Sequence, residues 1–245
     1  MTRYKIVIEY DGSDFCGWQR QQDALSVQEV LEDALFKFSQ EKTEVQGSGR
    51  TDAGVHAYGQ VAHFDIRKET TAFRVKEALN ALVRPYPIGI LDCEEVPEDF
   101  NARFSAKKRS YVYKILNRRT PAILDRKRVW HVLQPLDVEK MKEAASLMLG
   151  KHDFSTFRAS ECQAKSPVKT LDSFDIIREN EMIYCYVTAR SFLHHQVRNM
   201  VGTLVLVGQG VWSVNDFKEA FEACNRTKGG PTAPADGLYL KEILY

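Results

Sequence analysis

The stretch "SVQEVLEDALFKFSQ", Ser26–Gln40, determines how the fold of the first half of the chain is predicted. Ser26 and Glu29 have the spacing of a capping box, in which the two side chains bond the unpaired amides of a first helical turn. Apolar residues then recur every three or four positions, as on one buried face of a helix. They are Val27, Val30, Leu31, Ala34, Leu35 and Phe38. The stretch therefore predicts an amphipathic helix.

Strands and one more helix are predicted around this element. The predicted strands are residues 3–10, which end at the turn signal Asp11-Gly12, then 60–66 and 88–96, and a helix is predicted over 71–83. Pro85 and Pro87 follow that helix and end it, because proline cannot continue a helix. The first half therefore alternates strands with helices.

The second half repeats this alternation. The predicted strands are residues 109–116, a hairpin over 173–189 that turns at Asn180, and 237–245; the predicted helices run from Asp137 to Leu149, over 192–209, and onward from Ser213. Mixed strands and helices predict an α+β protein. We expect two domains, residues 1–104 and 105–245. Each would have a mainly antiparallel sheet with helices on one side and the other side available.

Composition excludes several classes of protein. The chain has 245 residues, 44% of them hydrophobic, but no run of about 20 apolar residues that a membrane-spanning helix needs. The opening "MTRYKIVIEY" lacks the pattern of a secretory signal. Five scattered cysteines show no zinc-site spacing. We therefore expect a cytoplasmic protein with reduced thiols.

Charge is balanced overall and uneven locally. The chain has 34 basic and 33 acidic residues, for a net charge of +1. Residues 103–128 nevertheless hold ten basic side chains and one acid, Asp125. A basic stripe of this kind is typical of a surface that binds a phosphate backbone, although a solvated face with ion pairs gives the same pattern. We expect contacts with a nucleic-acid backbone on this stripe.

The stretch "GSGRTDAGVHA", Gly47–Ala57, is poor in packing atoms and places Asp52 two residues after Arg50. Glycines allow unusual backbone angles and close approach of a ligand. A nearby arginine favours the ionised carboxylate, which can act as a nucleophile or stabilise a cationic sugar. A surface turn with an incidental ion pair has the same sequence. A nucleotide-phosphate loop is disfavoured, since no Gly-Lys-Ser/Thr follows.

Metal binding is also disfavoured by the sequence. His56 and His63 have no acidic partner at a known ligand spacing, and the adjacent His194 and His195 are expected on different faces of the helix 192–209. We therefore expect no metal at this site.

Several motifs, in order along nearly the whole chain, resemble those of the TruA-type tRNA pseudouridine synthases. Gly49–Ala57 matches the signature Gly-Arg-Thr-Asp-Ala-Gly-Val-His-Ala without a gap. The other stretches similar to the family are "YDGSDFCGWQRQ", "KKRSYVYKI", "HDFSTFR", "FLHHQVRNMVG" and "GPTAPADGLYL".

The resemblance implies a fold, a reaction and partners. The fold would be two RRM-like (ferredoxin-like) halves that form one extended, mainly antiparallel sheet, with the active-site cleft between them. The reaction would convert uridines at positions 38, 39 and 40 of the tRNA anticodon stem-loop to pseudouridine. The family works as a homodimer without cofactor or metal. A non-catalytic RNA-binding protein on this fold and a glycosidase remain the alternatives.

The resemblance also implies the site residues. Asp52 would be the catalytic nucleophile, attacking ribose or base, unless it removes a proton instead. Arg50 would fill the space left by the flipped uridine, or pair with Asp52. Tyr111 would stack on the uracil, although strand alternation also permits a core position. Arg198 would bind substrate and hold Asp52, or reach solvent as a surface arginine. Trp18 contacts RNA or anchors a loop.

Overall fold

Two compact units make up the computed structural model, which describes residues 1–245. Unit 1 contains Met1–Lys107 together with Tyr239–Tyr245, and unit 2 contains Lys108–Leu238. The sequence predicted residues 1–104 and 105–245 instead. The difference lies mainly in the last strand, which pairs in parallel with a strand of unit 1, so residues that follow unit 2 in sequence complete the sheet of unit 1.

Ten strands and five α-helices alternate along the chain. They are β1 (Thr2–Tyr10), α1 (Val27–Ser39), β2 (Gln46–Gly47), β3 (His56–Ile66), α2 (Ala72–Leu82), β4 (Ile88–Val96), β5 (Lys108–Asn117), β6 (Trp130–Val132), α3 (Val138–Ser146), β7 (Gly150–Asp153), β8 (Val168–Glu179), β9 (Met182–Ala189), α4 (Gln196–Gly208), α5 (Val214–Glu222) and β10 (Leu238–Leu244). Most strand pairs are antiparallel. The predicted α+β class is confirmed.

The sheet of unit 1 is organised around β3. β1 lies between β4 and β3 and is antiparallel to both. The other edge of β3 is shared by two strands, because β2 pairs antiparallel with it near Ala62 and β10 pairs in parallel with it near His56. The glycine-rich stretch therefore connects β2 to β3, two strands that pair with each other.

Helix α1 begins and buries its face largely as the sequence predicts. The Oγ atom of Ser26 accepts the Glu29 amide proton at 3.2 Å, which caps the first turn. Val27, Leu31 and Leu35 are completely buried. Helix α2 begins in the same way, with Thr71 as its cap. Local hydrogen bonds and an apolar stripe thus fix both helices of unit 1.

One side of the unit 1 sheet is partly covered by residues 97–107. Arg3 forms an ion pair with Asp65 and donates a second bond to the Phe100 carbonyl at 2.8 Å. The Ala102 amide donates to Nδ1 of His63 at 3.2 Å. The sequence analysis expected the side away from the helices to be available, and this covering segment corrects that expectation near Arg3 and His63.

Unit 2 contains a four-strand path in the order β5-β9-β8-β7, with β6 parallel to β5. The predicted hairpin forms between β8 and β9, where Glu179 pairs with Met182. Asn180 adopts a φ of 56° in the turn, a left-handed conformation that asparagine tolerates better than most residues. Helices α3 and α4 pack against each other and bury apolar faces.

Helix α4 is shorter than predicted, because it begins at Gln196 rather than at residue 192. His195 has a φ of 60°, which a right-handed helix cannot contain. The rings of His194 and His195 lie 4.0 Å apart between their centroids. The prediction that they occupy different faces of a helix is therefore wrong: they precede the helix and contact each other.

The helices are too short and too polar to cross a membrane. The longest, α1 and α4, have 13 residues each, against about 20 for a membrane-spanning helix.

Candidate active site

The loop that carries Asp52 is fastened to β3 on one side. The Ser48 amide donates to the Val61 carbonyl at 2.8 Å, and the Ser48 hydroxyl donates to Oε1 of Gln60 at 2.7 Å. The Gln60 amide nitrogen in turn donates to the Gly49 carbonyl at 3.0 Å. Gln60 and Ser48 are both buried. These bonds fix the backbone immediately before Arg50.

The other side of the loop is fastened to residues 10–18. The Trp18 amide donates to the Thr51 carbonyl at 3.1 Å, and the Thr51 hydroxyl lies 2.8 Å from the Tyr10 hydroxyl. Trp18 and Tyr10 are buried. Gly17 has a φ of 109°, and a Cβ atom there would lie 2.5 Å from the Thr51 carbonyl oxygen. Trp18 therefore anchors the loop, which is one of the two roles that the sequence left open.

Asp52 begins a tight turn on this fixed backbone. The Val55 amide donates to the Asp52 carbonyl at 3.1 Å, and Gly54 has a φ of 79° at the third position, where a type II turn requires glycine or asparagine. The Asp52 side chain is half-buried. A rigid loop thus presents a carboxylate with its backbone held from both sides, which is the arrangement that a nucleophile or a charge-stabilising group needs.

Arg50 does not form the ion pair with Asp52 that the sequence suggested. Its side chain is exposed, and its Nε–H donates to Oε1 of Gln19 at 2.9 Å. This bond directs the arginine toward the segment that holds Trp18. Arg50 is therefore positioned by a neutral amide, and its charge is carried at the surface of the loop.

Tyr111 lies on β5, opposite Val187 of β9, in unit 2. It is half-buried, and its ring meets the ring of Phe192 edge-on at 5.2 Å between centroids. Tyr113, two residues along the same strand, is fully buried and donates its hydroxyl to the Pro234 carbonyl at 2.7 Å. Burial raises the pKa of Tyr113 well above its ordinary value. Tyr113 is therefore the core residue of the pair.

Arg198 lies in the first turn of α4 and is half-buried. Its Nε–H donates to the Ala233 carbonyl at 2.8 Å, while the Ala233 amide donates to the Arg198 carbonyl at 3.1 Å. These reciprocal bonds orient the plane of the guanidinium group, because Nε belongs to that plane. Arg198 is thus not a loose surface arginine.

The two histidines of unit 1 that the sequence weighed as metal ligands are bonded within the protein. Nδ1 of His56 accepts the Gly12 amide proton at 3.0 Å, and Nδ1 of His63 accepts that of Ala102 at 3.2 Å. Both side chains are buried. They support the backbone of unit 1.

The structure places Asp52 and Arg50 on one loop of unit 1, and Tyr111 and Arg198 in unit 2. Gln60 was not among the residues predicted from the sequence. Its signal was a polar residue within the strand that follows the loop, beside a run dominated by apolar residues. A buried amide there has to be hydrogen-bonded, and its partners turn out to be the loop backbone.

A model of the tRNA pseudouridine synthase family matches residues 6–105 and 144–245. The chain belongs to this family. Family membership agrees with the resemblance seen in the sequence, and both matched segments contain site residues: Arg50 and Asp52 in the first and Arg198 in the second.

Curated relatives match over the full length of the chain. Proteins named tRNA pseudouridine synthase A from Rhodospirillum rubrum, Xanthobacter autotrophicus and Afipia carboxidovorans are each 54% identical over all 245 residues. The chain covers 88% of the first and 100% of the other two. A chain in the crystal structure of a Cbf5-Nop10-Gar1 complex matches at 10% identity and a TM-score of 0.35, over 82% of this chain and 44% of its own. That likeness is too weak to support an argument.

Proposed function

We propose that this protein isomerises uridines of tRNA to pseudouridine, with Asp52 as the catalytic nucleophile. The observation that carries the proposal is the half-buried Asp52 on a loop that buried contacts fix from both sides. Membership of the tRNA pseudouridine synthase family supports the reaction. We further propose that the modified uridines are those at positions 38, 39 and 40 of the anticodon stem-loop, as the family resemblance implies.

The reaction balances without a co-reactant. The bond between N1 of uracil and C1′ of ribose breaks, the base turns, and a bond forms between C5 and C1′. N1 takes up a proton, and C5 releases one to solvent. As the first bond breaks, positive charge develops on the ribose, and a carboxylate held beside it stabilises that charge. Asp52 acts by attacking either C1′ or the base, and both routes form a covalent adduct that later collapses.

The remaining predicted site residues bind the substrate. We propose that the Tyr111 ring stacks on the everted uracil, an interaction worth about 1–3 kcal/mol in related systems. Arg50, exposed on the same loop as Asp52, occupies the space that the everted base leaves and contacts phosphate. Arg198 contacts the substrate through its oriented guanidinium group.

We also propose that each half of the protein is ferredoxin-like and that the protein acts as a cytoplasmic homodimer. The order β4-β1-β3-β2 in unit 1, with α1 and α2 between strands, supports the first part of this proposal. Sedimentation equilibrium of the free protein tests the second part. A mass of about 56 kDa, twice the 28.0 kDa of one chain, is expected, and a single-chain mass at micromolar concentration would refute it.

Tritium release from tRNA that contains 5-tritiated uridine tests the function. The wild-type protein should release tritium, whereas Asp52→Asn should release none while it binds tRNA with an unchanged Kd. Asp23→Asn, an exposed carboxylate of the same unit, is the control and should retain full activity. Tight tRNA binding without tritium release by the wild-type protein would support a non-catalytic RNA-binding protein. Release of free uracil would support a glycosidase.

A further inference from the structure

Arg226 lies in a short 3₁₀ turn after α5, and its side chain folds back onto the protein. One terminal nitrogen, Nη1, donates to the Gly230 carbonyl at 2.9 Å. The other, Nη2, donates to Oδ1 of Asn199 at 3.2 Å and to the Thr232 hydroxyl at 3.2 Å. All these partners are neutral oxygens, so the guanidinium serves here as a planar set of donors rather than as half of an ion pair.

Asn199 is the buried centre of this cluster and belongs to α4. Its Oδ1 accepts from Arg226 and from the Thr232 hydroxyl, the latter at 2.6 Å. Its amide nitrogen donates to the Phe157 carbonyl at 2.9 Å. Each side of the amide therefore has its own partners, which fixes the orientation of the side chain. A buried polar group with this many partners is costly to disturb.

The segment Gly229–Ala233 approaches the backbone of α4 unusually closely. A Cβ atom on Gly202 would lie 1.9 Å from the Pro231 carbonyl oxygen, and one on Gly230 would lie 2.9 Å from the Cα atom of Thr203. The Gly230 amide donates to the Thr203 hydroxyl at 3.0 Å. Backbone-to-backbone contact of this kind is rigid, since no flexible side chain separates the two segments.

The segment Gly229–Ala233 ends at the residue whose backbone is hydrogen-bonded to Arg198. The Ala233 carbonyl accepts from Nε of Arg198, and the Ala233 amide donates to the Arg198 carbonyl. Asn199, which Arg226 bonds directly, is the next residue along the helix. A shift of Gly229–Ala233 therefore moves the acceptor that sets the direction of the Arg198 side chain.

We propose that Arg226 is a positioning residue for the reaction: through Asn199, Thr232 and Gly230 it fastens Gly229–Ala233 to α4 and thereby aims Arg198. The inference rests on the proposed function, because it assigns Arg198 a role in substrate binding. It goes further in naming a residue outside the predicted site that acts on the site through another arginine. The fork of the guanidinium is essential, since a lysine carries the same charge but cannot span the three acceptors in one plane.

Arg226→Lys tests the proposal because it keeps the charge and loses the fork. We expect kcat for tritium release from tRNA to fall between about tenfold and a hundredfold, as displaced active-site groups usually cause, while the Kd for tRNA changes less than threefold. Arg74→Lys, an exposed arginine in the first turn of α2, is the matched control and should leave kcat unchanged. Full activity of Arg226→Lys would overturn the proposal.

A double-mutant comparison separates positioning from a merely structural role. If Arg226 acts through Arg198, then Arg198→Lys should cost much less kcat in the Arg226→Lys background than in the wild-type protein. If the fold-losses instead multiply, Arg226 does not act through Arg198 and the proposal is wrong. Thr232→Val removes both bonds of the threonine hydroxyl, to Asn199 and to Nη2 of Arg226, but leaves Arg226 bonded to Gly230 and Asn199. It should therefore lower kcat in the same direction by less, even where Arg226→Lys fails to fold. A Thr232→Val variant with wild-type kcat would also count against the proposal.

Failure of this inference differs from failure of the proposed function. A wild-type protein that releases no tritium refutes the function itself. An active wild-type protein whose Arg226→Lys variant is equally active, with an unchanged melting temperature, refutes only the positioning role.

Discussion

The indole of Trp18 occupies the space that a side chain at Gly47 would need. A Cβ atom on Gly47 would lie 2.6 Å from two atoms of that ring, Cε2 and Nε1. Trp18 is only 2% exposed and also donates its backbone amide to Thr51, so it cannot move aside without disturbing the loop of Asp52. The packing of Trp18 thus requires a glycine at the start of the loop that carries Asp52.

Gly47→Ala should therefore destabilise the protein by about 1–3 kcal/mol, the usual cost of overpacking a buried site, and should lower the rate of tritium release. Urea denaturation monitored by circular dichroism measures the first effect. Gly89→Ala is the matched control, because no heavy atom lies within 4 Å of its Cβ position. It should change the free energy of unfolding by no more than about 0.5 kcal/mol. Equal effects of the two variants would refute the role given to Trp18.

Gln60→Leu should loosen the loop from the other side. The leucine keeps much of the volume but removes the acceptor of the Ser48 hydroxyl and the donor to the Gly49 carbonyl. We expect a loss of about 2–4 kcal/mol in the free energy of unfolding, since these hydrogen bonds of a buried side chain disappear and the Val61 amide also loses Oε1 as an acceptor. Gln46→Leu changes an exposed glutamine of the neighbouring strand β2 and serves as the control. Kinetics at saturating tRNA should show a reduced kcat for Gln60→Leu alone.

His63 makes the folded state sensitive to mild acid. Burial lowers the pKa of His63 below its ordinary value of 6.5, and the nearby Arg3 guanidinium lowers it further, whereas Asp65 and Glu44 oppose that shift. The unfolded chain therefore binds a proton more readily than the folded protein does. The free energy of unfolding should be unaffected by His63 above pH 6.5 and should fall as the pH drops below that value.

His63→Gln tests this dependence, because the amide oxygen can still accept the Ala102 proton but does not titrate. The free energy of unfolding of the variant should fall less steeply between pH 6.5 and 5 than that of the wild-type protein. Chemical denaturation at several pH values in that range provides the measurement. Parallel curves for the two proteins would show that His63 binds its proton equally in the folded and unfolded states.

The basic stripe, residues 103–128, contains basic side chains that are bonded within the protein and others that are exposed to solvent. Arg118 is held by Glu181 and by the carbonyl groups of Thr120 and Pro121. Arg119 and Arg126 are exposed. The exposed pair is available for phosphate contacts of the kind predicted from the sequence.

Neutralising Arg119 and Arg126 to Gln should weaken tRNA binding and lower the slope of log Kd against log salt concentration by about one to two, because each phosphate contact releases bound counterions. Lys37→Gln with Lys42→Gln removes the same total charge from exposed positions of unit 1 and should leave the slope unchanged. Fluorescence anisotropy over a salt series measures both. Identical slopes for the two double variants would place the tRNA contacts elsewhere.

The elements that are predicted well from the sequence each contain a local sequence feature that specifies them. Helix α1 has a capping serine and an apolar stripe, and the β8–β9 hairpin has an asparagine at the one position that needs a left-handed backbone. Helix α4 was predicted to begin four residues too early, because apolar periodicity continues into a segment where His195 has already turned the chain. The pairing of β10 with β3 had no local signal, since it joins residues far apart in sequence.

The candidate site likewise combines residues that have a local sequence signal with contacts that have none. Asp52 stands out in the sequence among its glycines and Arg50, and Arg198 as a charge in an apolar helix, but the roles predicted for them rest on the family resemblance. The bond from Arg50 to Gln19 could not be predicted, since it depends on how two loops meet. Arg226 was missed for a similar reason: three of its acceptors are brought together only by the packing of a coil segment on α4.

The place of β10 in unit 1 has a consequence for biosynthesis. A ribosome completes this strand only after it has made all of unit 2, so the nascent N-terminal sheet must wait with the β3 edge near His56 unpaired. Local helices such as α1 can form early, whereas this parallel pairing closes a very large loop and is slow for that reason. The backbone that follows the loop of Asp52 therefore acquires its last neighbour only after the whole of unit 2 has been synthesised.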